Sequence, residues 1–192
     1  MVRSTFIAIR FAVVTLVITG IIYPLAMTGF AHVAFPDKSS GSLIEQDGRV
    51  IGSKYIGQRF EGPQYFHPRP SASDYNAMAS GGSNLGPTNA TLIGRVRDAV
   101  TNAVRDDPLV AGDVPVDMVT ASGSGLDPDI TPANAEAQVP RVAQARNMNE
   151  DEVRRLINEN TDGRDLGFLG EKRVNVLELN LALDRAQSGE LQ

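Results

Sequence analysis

A long uncharged segment near the N-terminus limits what this chain can fold into. No charged residue occurs between Arg10 and Asp37, and residues 11–31 are almost wholly apolar. Crossing the roughly 30 Å hydrocarbon core of a bilayer takes about 20 helical residues, so this segment is long enough to span a membrane. It is too long for a buried helix in a small soluble domain. The sequence therefore predicts a transmembrane helix over residues 11–33.

The charges on either side of this segment predict its orientation. Arg3 and Arg10 precede it, and Asp37 opens the other side. Basic residues are retained on the cytoplasmic side of membranes. Residues 1–10 are thus predicted to be a short cytoplasmic tail, and residues 37–192 an extracytoplasmic domain.

Two details of the apolar segment need interpretation. Gly29-Phe30-Ala31 has the small-x-small pattern of a signal-peptide cleavage site, but the apolar run exceeds the usual 7–15 residues of a signal peptide. A retained anchor is therefore favoured over a cleaved signal. Pro24 lacks a backbone N–H and is expected to kink the helix or loosen it.

Composition excludes several classes of function. The chain has no cysteine, which excludes disulfides, a thiol nucleophile and cysteine-ligated metal sites. After residue 36 lie 16 basic and all 23 acidic residues, a formal charge of −7, so nothing indicates nucleic-acid binding. A solvated acidic surface is the simpler interpretation.

Local patterns after residue 37 predict an α+β fold, in which one transmembrane helix is followed by a single mixed domain with more helix than strand. Asp47-Gly48 indicates a short hairpin over residues 43–51. Alternating apolar residues indicate a strand over Val114, Val116 and Met118. A first helix is predicted over residues 91–105, and a second begins at Pro132 and is expected to break near Val139 because of Pro140. Two further helices are predicted to begin after Asn149 and after Asn175. Asn89 or Thr91 is expected to cap the first of them, and the last is apolar around much of its circumference.

Residues 65–89, YFHPRPSASDYNAMASGGSNLGPTN, form the core of a predicted loop over roughly residues 61–90. The segment contains too much Pro, Gly, Ser and Asn for a helix or strand, while its aromatic residues are unusual for a flexible linker. We expect an ordered, turn-rich loop that Tyr65, Phe66 and Tyr75 anchor to the domain. The candidate partner-binding or structural residues in it are Tyr65, Phe66, His67, Arg69, Ser71, Asn76, Gly81, Gly82, Ser83, Asn84 and Asn89.

A chemical role for this loop has little support from the sequence. His67, Asp74 and Ser71 or Ser73 contain the residue types of a hydrolase, but no GxSxG motif presents a serine nucleophile. The only other histidine is His32, and no histidine lies at metal-binding helical spacing. No catalytic or metal-binding residue is predicted.

A second glycine-rich stretch is SGSGLDP at residues 122–128. Such turns can bind phosphate when a helix follows, but GK[ST] is missing, and Asp127 and Asp129 would repel an anion. A tight turn before the helix at Pro132 is the favoured interpretation. The residues of this candidate block are Ser122, Gly123, Ser124, Gly125 and Asp127.

Taken together, several blocks resemble one family over essentially the whole chain. They are the transmembrane helix and the stretches YFHPRPSASDYN, ASGGSNLGPTN, VTASGSGLDPDITP, QVPRVAQARN and GFLGEKRVNVLELNLALD. In this order and spacing they are similar to the C subunit, KdpC, of the bacterial high-affinity potassium-transporting Kdp ATPase.

The resemblance implies a non-catalytic subunit of a potassium import pump in the bacterial inner membrane. The implied partners are a channel-like potassium-binding subunit, a P-type ATPase subunit, a small membrane peptide and the lipid bilayer. The family is described as a catalytic chaperone that raises the ATP affinity of the hydrolysing subunit, and the 122–127 block has been likened to a nucleotide site. ATP and Mg²⁺ are expected to act through the ATPase subunit, with no cofactor bound directly.

Orientation and resemblance together favour one hypothesis. An extracytoplasmic SGSGLDP block cannot contact cytoplasmic ATP, so an effect on ATP affinity would be allosteric. The external domain would cap the channel-like subunit and stabilise or gate the pump. Two alternatives remain: a solitary membrane-anchored cation-binding protein, and a membrane-anchored hydrolase that uses His67.

Overall fold

A computed structural model of the chain describes residues 2–46, 48–107 and 111–188. The described residues are a mixture of helix and strand, with more helix, which confirms the predicted α+β class. They fall into two compact units, Met1–Ile51 and Gly52–Gln192.

The first unit begins with one long helical segment that no other element covers. Helix α1 (Val2–Val17), a π-helical turn (Ile18–Ile22) and helix α2 (Tyr23–Ala34) follow one another directly, and none of their residues is buried. Together they form one helix that is long and apolar enough to cross a membrane. Residues 2–10, the predicted cytoplasmic tail, belong to the same helix.

The irregularity expected near Pro24 lies one turn earlier, in the π-helical turn. A proline ring clashes with the carbonyl four residues before it, and its missing N–H leaves that carbonyl without its helical donor. For Pro24 this is the carbonyl of Gly20, which lies in the middle of Ile18–Ile22. A π turn changes the local hydrogen-bond pattern at that place, and α2 then continues to Ala34.

A short helix and a two-stranded sheet follow. Helix α3 (Pro36–Ser39) leads to strands β1 (Leu43–Gln46) and β2 (Arg49–Ser53), which pair with each other. Gly48, in the connection, has a φ of +72°, as the predicted turn requires. Asp47 of that turn lies outside the described residues.

The second unit is built from helices packed against a small sheet. Its strands β3 (Asp129–Ile130), β4 (Thr161–Asp162) and β5 (Arg173–Asn175) form an antiparallel sheet in the order β3-β5-β4. Its described helices of four residues or more are α4 (Ala90–Asp106), α5 (Val116–Val119), α6 (Pro132–Arg146), α7 (Glu150–Glu159) and α8 (Val176–Ser188).

The core of this unit lies between α6, α7, α8 and strand β5. It contains Val139 and Val142 of α6, Leu156 of α7 and Leu183 of α8, all 0–1 % exposed. The loop that precedes α4 contributes Phe66, which is 0 % exposed. The predicted helix starts are confirmed, since the side chains of four residues accept a backbone N–H at the beginning of a helix: Asn89, Thr131, Asn149 and Asn175.

The predicted strand over Val114, Val116 and Met118 is wrong. Val116–Val119 is a single helical turn, closed by a hydrogen bond from the N–H of Thr120 to the carbonyl of Val116. Asp117 explains the difference, because its carboxylate accepts hydrogen bonds from the backbone N–H and hydroxyl of Thr131. A tertiary contact therefore overrides the three-residue alternation.

The predicted break at Pro140 is also wrong, because α6 is continuous from Pro132 to Arg146. An internal proline costs a helix about 3 kcal/mol. Here Val139 and Val142 are fully buried on either side of it, and Arg141 is held by hydrogen bonds. This burial offsets the local cost.

Candidate functional site

The segment over residues 61–89 is called the clamped loop here. Its only regular element is a 3₁₀ turn at Ala77–Ala79. Two other parts of the second unit hold the rest of it in place: polar side chains of α6 and α8, and the SGSGLDP block.

Asn180 of α8 fixes the loop at Phe66. The Phe66 N–H donates to Asn180 Oδ1 at 2.8 Å, and Asn180 Nδ2 donates to the Phe66 carbonyl at 3.0 Å. Asn180 is 1 % exposed, so both bonds lie in the core. One amide side chain thus satisfies both backbone groups of a buried loop residue. Buried polar groups in folded proteins nearly always have such hydrogen-bond partners.

Gln138 of α6 repeats this arrangement at the next residue. The His67 N–H donates to Gln138 Oε1 at 2.7 Å, and Gln138 Nε2 donates to the His67 carbonyl at 3.1 Å. Gln138 Nε2 also donates to Asn134 Oδ1 at 2.8 Å, which orients the amide. The loop backbone is therefore bound by side-chain amides in the way that a neighbouring strand would bind it.

Two arginines of α6 bind the preceding carbonyls. Arg141 Nη1 donates to the carbonyls of Pro63 and Tyr65 at 2.8 and 2.9 Å. Its Nε pairs with buried Asp107 at 2.7 Å. A buried charge needs such a partner together with further hydrogen bonds, and Arg141 has both.

Arg146 completes the clamp. Its Nε donates to the Gln64 carbonyl at 2.6 Å, and its Nη2 pairs with Asp184 at 2.7 Å. The guanidinium carbon lies 5.1 Å from the centre of the Tyr65 ring, within cation–π range. Every residue from 63 to 67 is thus held through its backbone by one of four helix side chains, Gln138, Arg141, Arg146 and Asn180.

The second contact joins the clamped loop to SGSGLDP, two stretches that are about 50 residues apart in the sequence. Gly81 N–H donates to the Ser124 carbonyl at 2.7 Å, and Ser71 Oγ donates to the Gly125 carbonyl at 2.6 Å. In the other direction, Ser122 N–H donates to the Pro70 carbonyl at 3.1 Å. The two glycine-rich stretches therefore form one structure.

The close approach of these stretches explains two of the glycines. A Cβ on Gly82 would lie 2.9 Å from the Gly123 carbonyl oxygen. Gly125 has a φ of +69°, and a Cβ there would lie 2.9 Å from the Gly81 carbonyl oxygen. A side chain at either position would push the stretches apart.

Arg69 and Tyr75 make further contacts in and around the part of the loop that meets SGSGLDP. Arg69 Nη1 pairs with Asp127 at 2.9 Å, and the Tyr75 hydroxyl donates to the Arg69 carbonyl at 2.5 Å. Burial raises the pKa of Tyr75 to about 12. Phe66 and Tyr65 thus contact α8 and α6 as the predicted anchoring requires, whereas the hydroxyl contact of Tyr75 stays within the loop.

The remaining candidate residues shape the loop locally. Asn76 Oδ1 accepts from the Met78 N–H at 3.0 Å and begins the 3₁₀ turn, while Asn89 begins α4. Asn84 has a φ of +53°, and its Nδ2 donates to the Gly82 carbonyl. Ser83 is half-buried beside it.

The hydrolase-type residues are not brought together. His67 Nε2 bonds to the Gly62 carbonyl at 2.9 Å, whereas Asp74 pairs with Arg59. Over residues 2–46, 48–107 and 111–188, no hydrogen bond joins His67 to Ser71, Ser73 or Asp74. Burial and the nearby Arg141 charge lower the pKa of His67, which keeps the ring neutral.

A cavity of about 560 Å³ opens beside His67. Its volume would suit a small ligand. Its charged groups include Asp106, which is paired with Arg105, and Arg141, which is committed to Asp107 and the loop carbonyls. The charged side chains that line this cavity, Asp106 and Arg141, thus already have protein partners.

Sequence comparison assigns the family. Residues 5–185 match the family model described as K+-transporting ATPase, c chain. The chain belongs to the KdpC family. Among similar proteins named potassium-transporting ATPase KdpC subunit, that of Mycobacterium tuberculosis is 55 % identical over 186 residues, covering 95 % of this chain and 98 % of the relative.

Two further KdpC relatives are equally similar over most of their length. The Bradyrhizobium diazoefficiens protein is 54 % identical over 200 residues, covering 97 % of this chain and 98 % of the relative. The Gemmatimonas aurantiaca protein is 59 % identical over 170 residues, covering 87 % and 85 %. The resemblance found in the sequence is confirmed: this is a subunit of a potassium-transporting ATPase complex, and the long apolar helix Val2–Ala34 fits a single-pass membrane protein.

In this KdpC-family chain, several backbone amides of SGSGLDP are already used. Gly125 N–H donates to Ser122 Oγ at 2.8 Å, and Leu126 N–H donates to Ser124 Oγ at 3.1 Å. Asp127 lies directly after them. Burial and the neighbouring Asp127 raise the pKa of Asp129. The block is thus a self-bonded turn with acidic residues beside it.

The four clamp residues on α6 and α8 were missed by sequence reasoning. Gln138, Arg141 and Arg146 interrupt the apolar positions of α6, and Asn180 interrupts those of α8. A polar side chain on the buried face of a helix is the signal that could have found them, because such a group must have a partner.

Proposed function

We propose that this chain is a non-catalytic accessory subunit whose external domain stabilises or gates the assembled potassium pump. Its partners are a channel-like potassium-binding subunit, a P-type ATPase subunit and a small membrane peptide, together with the bilayer of the bacterial inner membrane. The N-terminus faces the cytoplasm, and residues 37–192 lie outside it. Family membership and the basic residues before the apolar helix support this proposal.

The observation that carries the proposal is the use of the clamped loop's polar groups. Side chains that could perform chemistry instead bind other parts of the chain: Ser71 binds the Gly125 carbonyl, and Arg69 pairs with the Asp127 carboxylate. A loop held at this many points presents a fixed surface, and a preordered surface loses little entropy when it binds a partner. The loop thus acts as a scaffold for association.

Any effect of this subunit on ATP affinity is then allosteric. The amides of Ser122, Gly125 and Leu126 are engaged within the chain, and Asp127 would repel phosphate. ATP and Mg²⁺ act on the ATPase subunit, and this chain changes the balance between that subunit's conformational states. No cofactor is bound directly by the chain.

Single-cysteine labelling tests the orientation. Because the chain has no cysteine, Ser124→Cys and Ser4→Cys each create a unique thiol. In intact cells with a permeabilised outer envelope, a membrane-impermeant maleimide should label the variant at position 124 but label position 4 only after lysis. The reverse pattern would place the domain in the cytoplasm and refute the proposed topology.

Co-purification with the detergent-solubilised pump tests association. The full chain is expected to remain with the other subunits. Comparison with a chain that lacks the first 36 residues then shows how much of the association the helix carries. If the full chain itself fails to co-purify, the accessory role is wrong.

The alternative of a solitary cation-binding protein has no specific observation in its favour. In the described ranges, no group of three or more His, Cys, Asp or Glu residues is arranged to hold a metal ion. Calorimetric titration of the purified chain with K⁺ is expected to show no specific binding, and a saturable K⁺ signal would revive the alternative.

A further inference from the structure

One turn of the second unit exposes large apolar side chains together. Leu166, Phe168 and Leu169 are 82 %, 69 % and 49 % exposed. Within the described part of Gly52–Gln192, no other stretch of four residues exposes three large apolar side chains. Arg164–Glu171 is called the apolar tip here. Contiguous exposed apolar surface of this kind marks interaction sites.

The apolar tip is an ordered turn. The N–H groups of Asp165 and Leu169 each donate to the other residue's carbonyl at 2.9 Å. Arg164 and Glu171 pair across its base at 2.8 Å. The backbone that carries these side chains is therefore ordered before any partner binds.

The backbone of the tip is also unusual. Leu166 has a φ of +53°, a conformation that residues other than glycine, asparagine and aspartate rarely adopt. Beta carbons built on Gly163, Gly167 and Gly170 would meet nothing within 4 Å, so the turn projects from its surroundings. A rare backbone conformation that holds Leu166 in solvent suggests a use for that side chain outside the chain itself.

The size of the tip indicates what kind of contact it makes. Its exposed apolar area is on the order of 400 Å², at roughly 200 Å² for a fully exposed large side chain. A stable interface between two proteins buries about 800 Å² on each partner. The tip is therefore too small to hold a second copy of this chain, and it suits an anchor within a contact to a subunit that is already bound elsewhere.

The charges around the tip favour a protein partner over a lipid surface. Between residues 162 and 173 lie three acidic and three basic residues: Asp162, Arg164, Asp165, Glu171, Lys172 and Arg173. Attachment to anionic lipid requires a surplus of basic residues, which this balance does not provide.

We infer that Leu166 and Phe168 of the apolar tip insert into an apolar pocket on another subunit of the potassium pump. This inference rests on the proposed accessory function and identifies the surface that carries it. The paired Leu and Phe fill the pocket, and the Arg164–Glu171 ion pair keeps the turn in the inserting conformation. Large, rigid, centrally buried side chains dominate the affinity of such contacts.

Cross-linking tests the inference directly. Phe168→Cys, labelled with a benzophenone maleimide, is illuminated in the detergent-solubilised complex, with Val116→Cys as the control because Val116 is 73 % exposed and lies outside both the tip and the clamped loop. A covalent adduct with another pump subunit from position 168, and not from position 116, is the expected result. Adducts with lipid or with a second copy of this chain, or equal adducts from both positions, would overturn it.

A binding measurement supplies the second arm. The concentration of chain that restores half of the potassium-stimulated ATP hydrolysis to a complex lacking this subunit is compared between variants. Leu166→Ser with Phe168→Ser should raise it about 100-fold or more, and Val116→Ser should leave it unchanged. A shift below about two-fold would remove the tip from the interface. If the unaltered chain restores nothing, the proposed function itself fails and the tip inference falls with it.

Discussion

Replacing Asn180 by leucine tests whether the clamp stabilises the domain. Leucine has nearly the same size but can neither accept from the Phe66 N–H nor donate to the Phe66 carbonyl. Both backbone groups would remain in a core where Phe66 is 0 % exposed. The variant removes one partner and leaves two buried polar groups unsatisfied, which is the costly direction of change.

The expected loss can be worked out from these two bonds. Each buried group left unsatisfied costs about 1–3 kcal/mol, so the variant should lose about 2–6 kcal/mol of unfolding free energy. For a domain of this size each kcal/mol lowers Tm by about 2–4 °C, which gives a decrease of about 4–24 °C.

The assay is a thermal melt of the full chain in detergent, combined with hydrogen exchange at the Phe66 amide. That amide should exchange faster in Asn180→Leu, because its acceptor is gone. Asn158→Leu is the matched control, since Asn158 is exposed on α7, and it should change stability by no more than about 0.5 kcal/mol. A Tm within about 2 °C of the parent, with unchanged exchange at Phe66, would refute the clamp.

Three further predictions concern the loop and its contacts. Gly125→Ala should lower the unfolding free energy by about 1–3 kcal/mol in urea melts, because φ is +69° and the new Cβ would crowd the Gly81 carbonyl. Gly123→Ala is the control and should be nearly neutral, since a Cβ there meets nothing within 4 Å. Equal effects of the two changes would contradict the close approach of the loop and SGSGLDP. Replacing Gly81-Gly82 by Ala-Ala should reduce co-purification with the pump more than His67→Gln, with most of the loss due to Gly82, and the opposite order would return the loop to the candidates for chemistry. Because the folded-state pKa of His67 is lowered, the unfolded chain binds this proton before the folded chain does as the pH falls. The contribution of the neutral His67 ring to stability is therefore complete above about pH 6.5 and is lost as the pH falls from there towards the folded-state pKa. Melts at pH 7.5 and 5.0 should show a smaller pH dependence in His67→Gln, and an unchanged dependence would disprove the assignment.

The features that depend on nearby residues were predictable from the sequence. Helix starts at Asn89, Thr131, Asn149 and Asn175 were correct because a cap bonds to an amide two or three residues away. The apolar helix was predictable because the absence of charge is a property of the segment itself.

The features that depend on distant residues were not predictable. Gln138 is 71 residues from the His67 backbone it binds, and nothing near Gln138 in the sequence indicates that contact. Pro140 was misread for the same reason, since the packing that keeps α6 continuous comes from other elements. The loop and SGSGLDP were each recognised as unusual, but their mutual contact became visible only in three dimensions.

The separation between the clamp and the loop has a consequence for how the domain is made. Phe66 is held by Asn180, which is 114 residues later in the chain. During synthesis the loop remains without its partners until α8, the last described helix, has been made. Because contacts this distant form late and slow the folding step, the domain is expected to gain its core only after α8 has been translated. A chain truncated before α8 should therefore be recognised by cellular proteases as unfolded, even though it contains every other described helix.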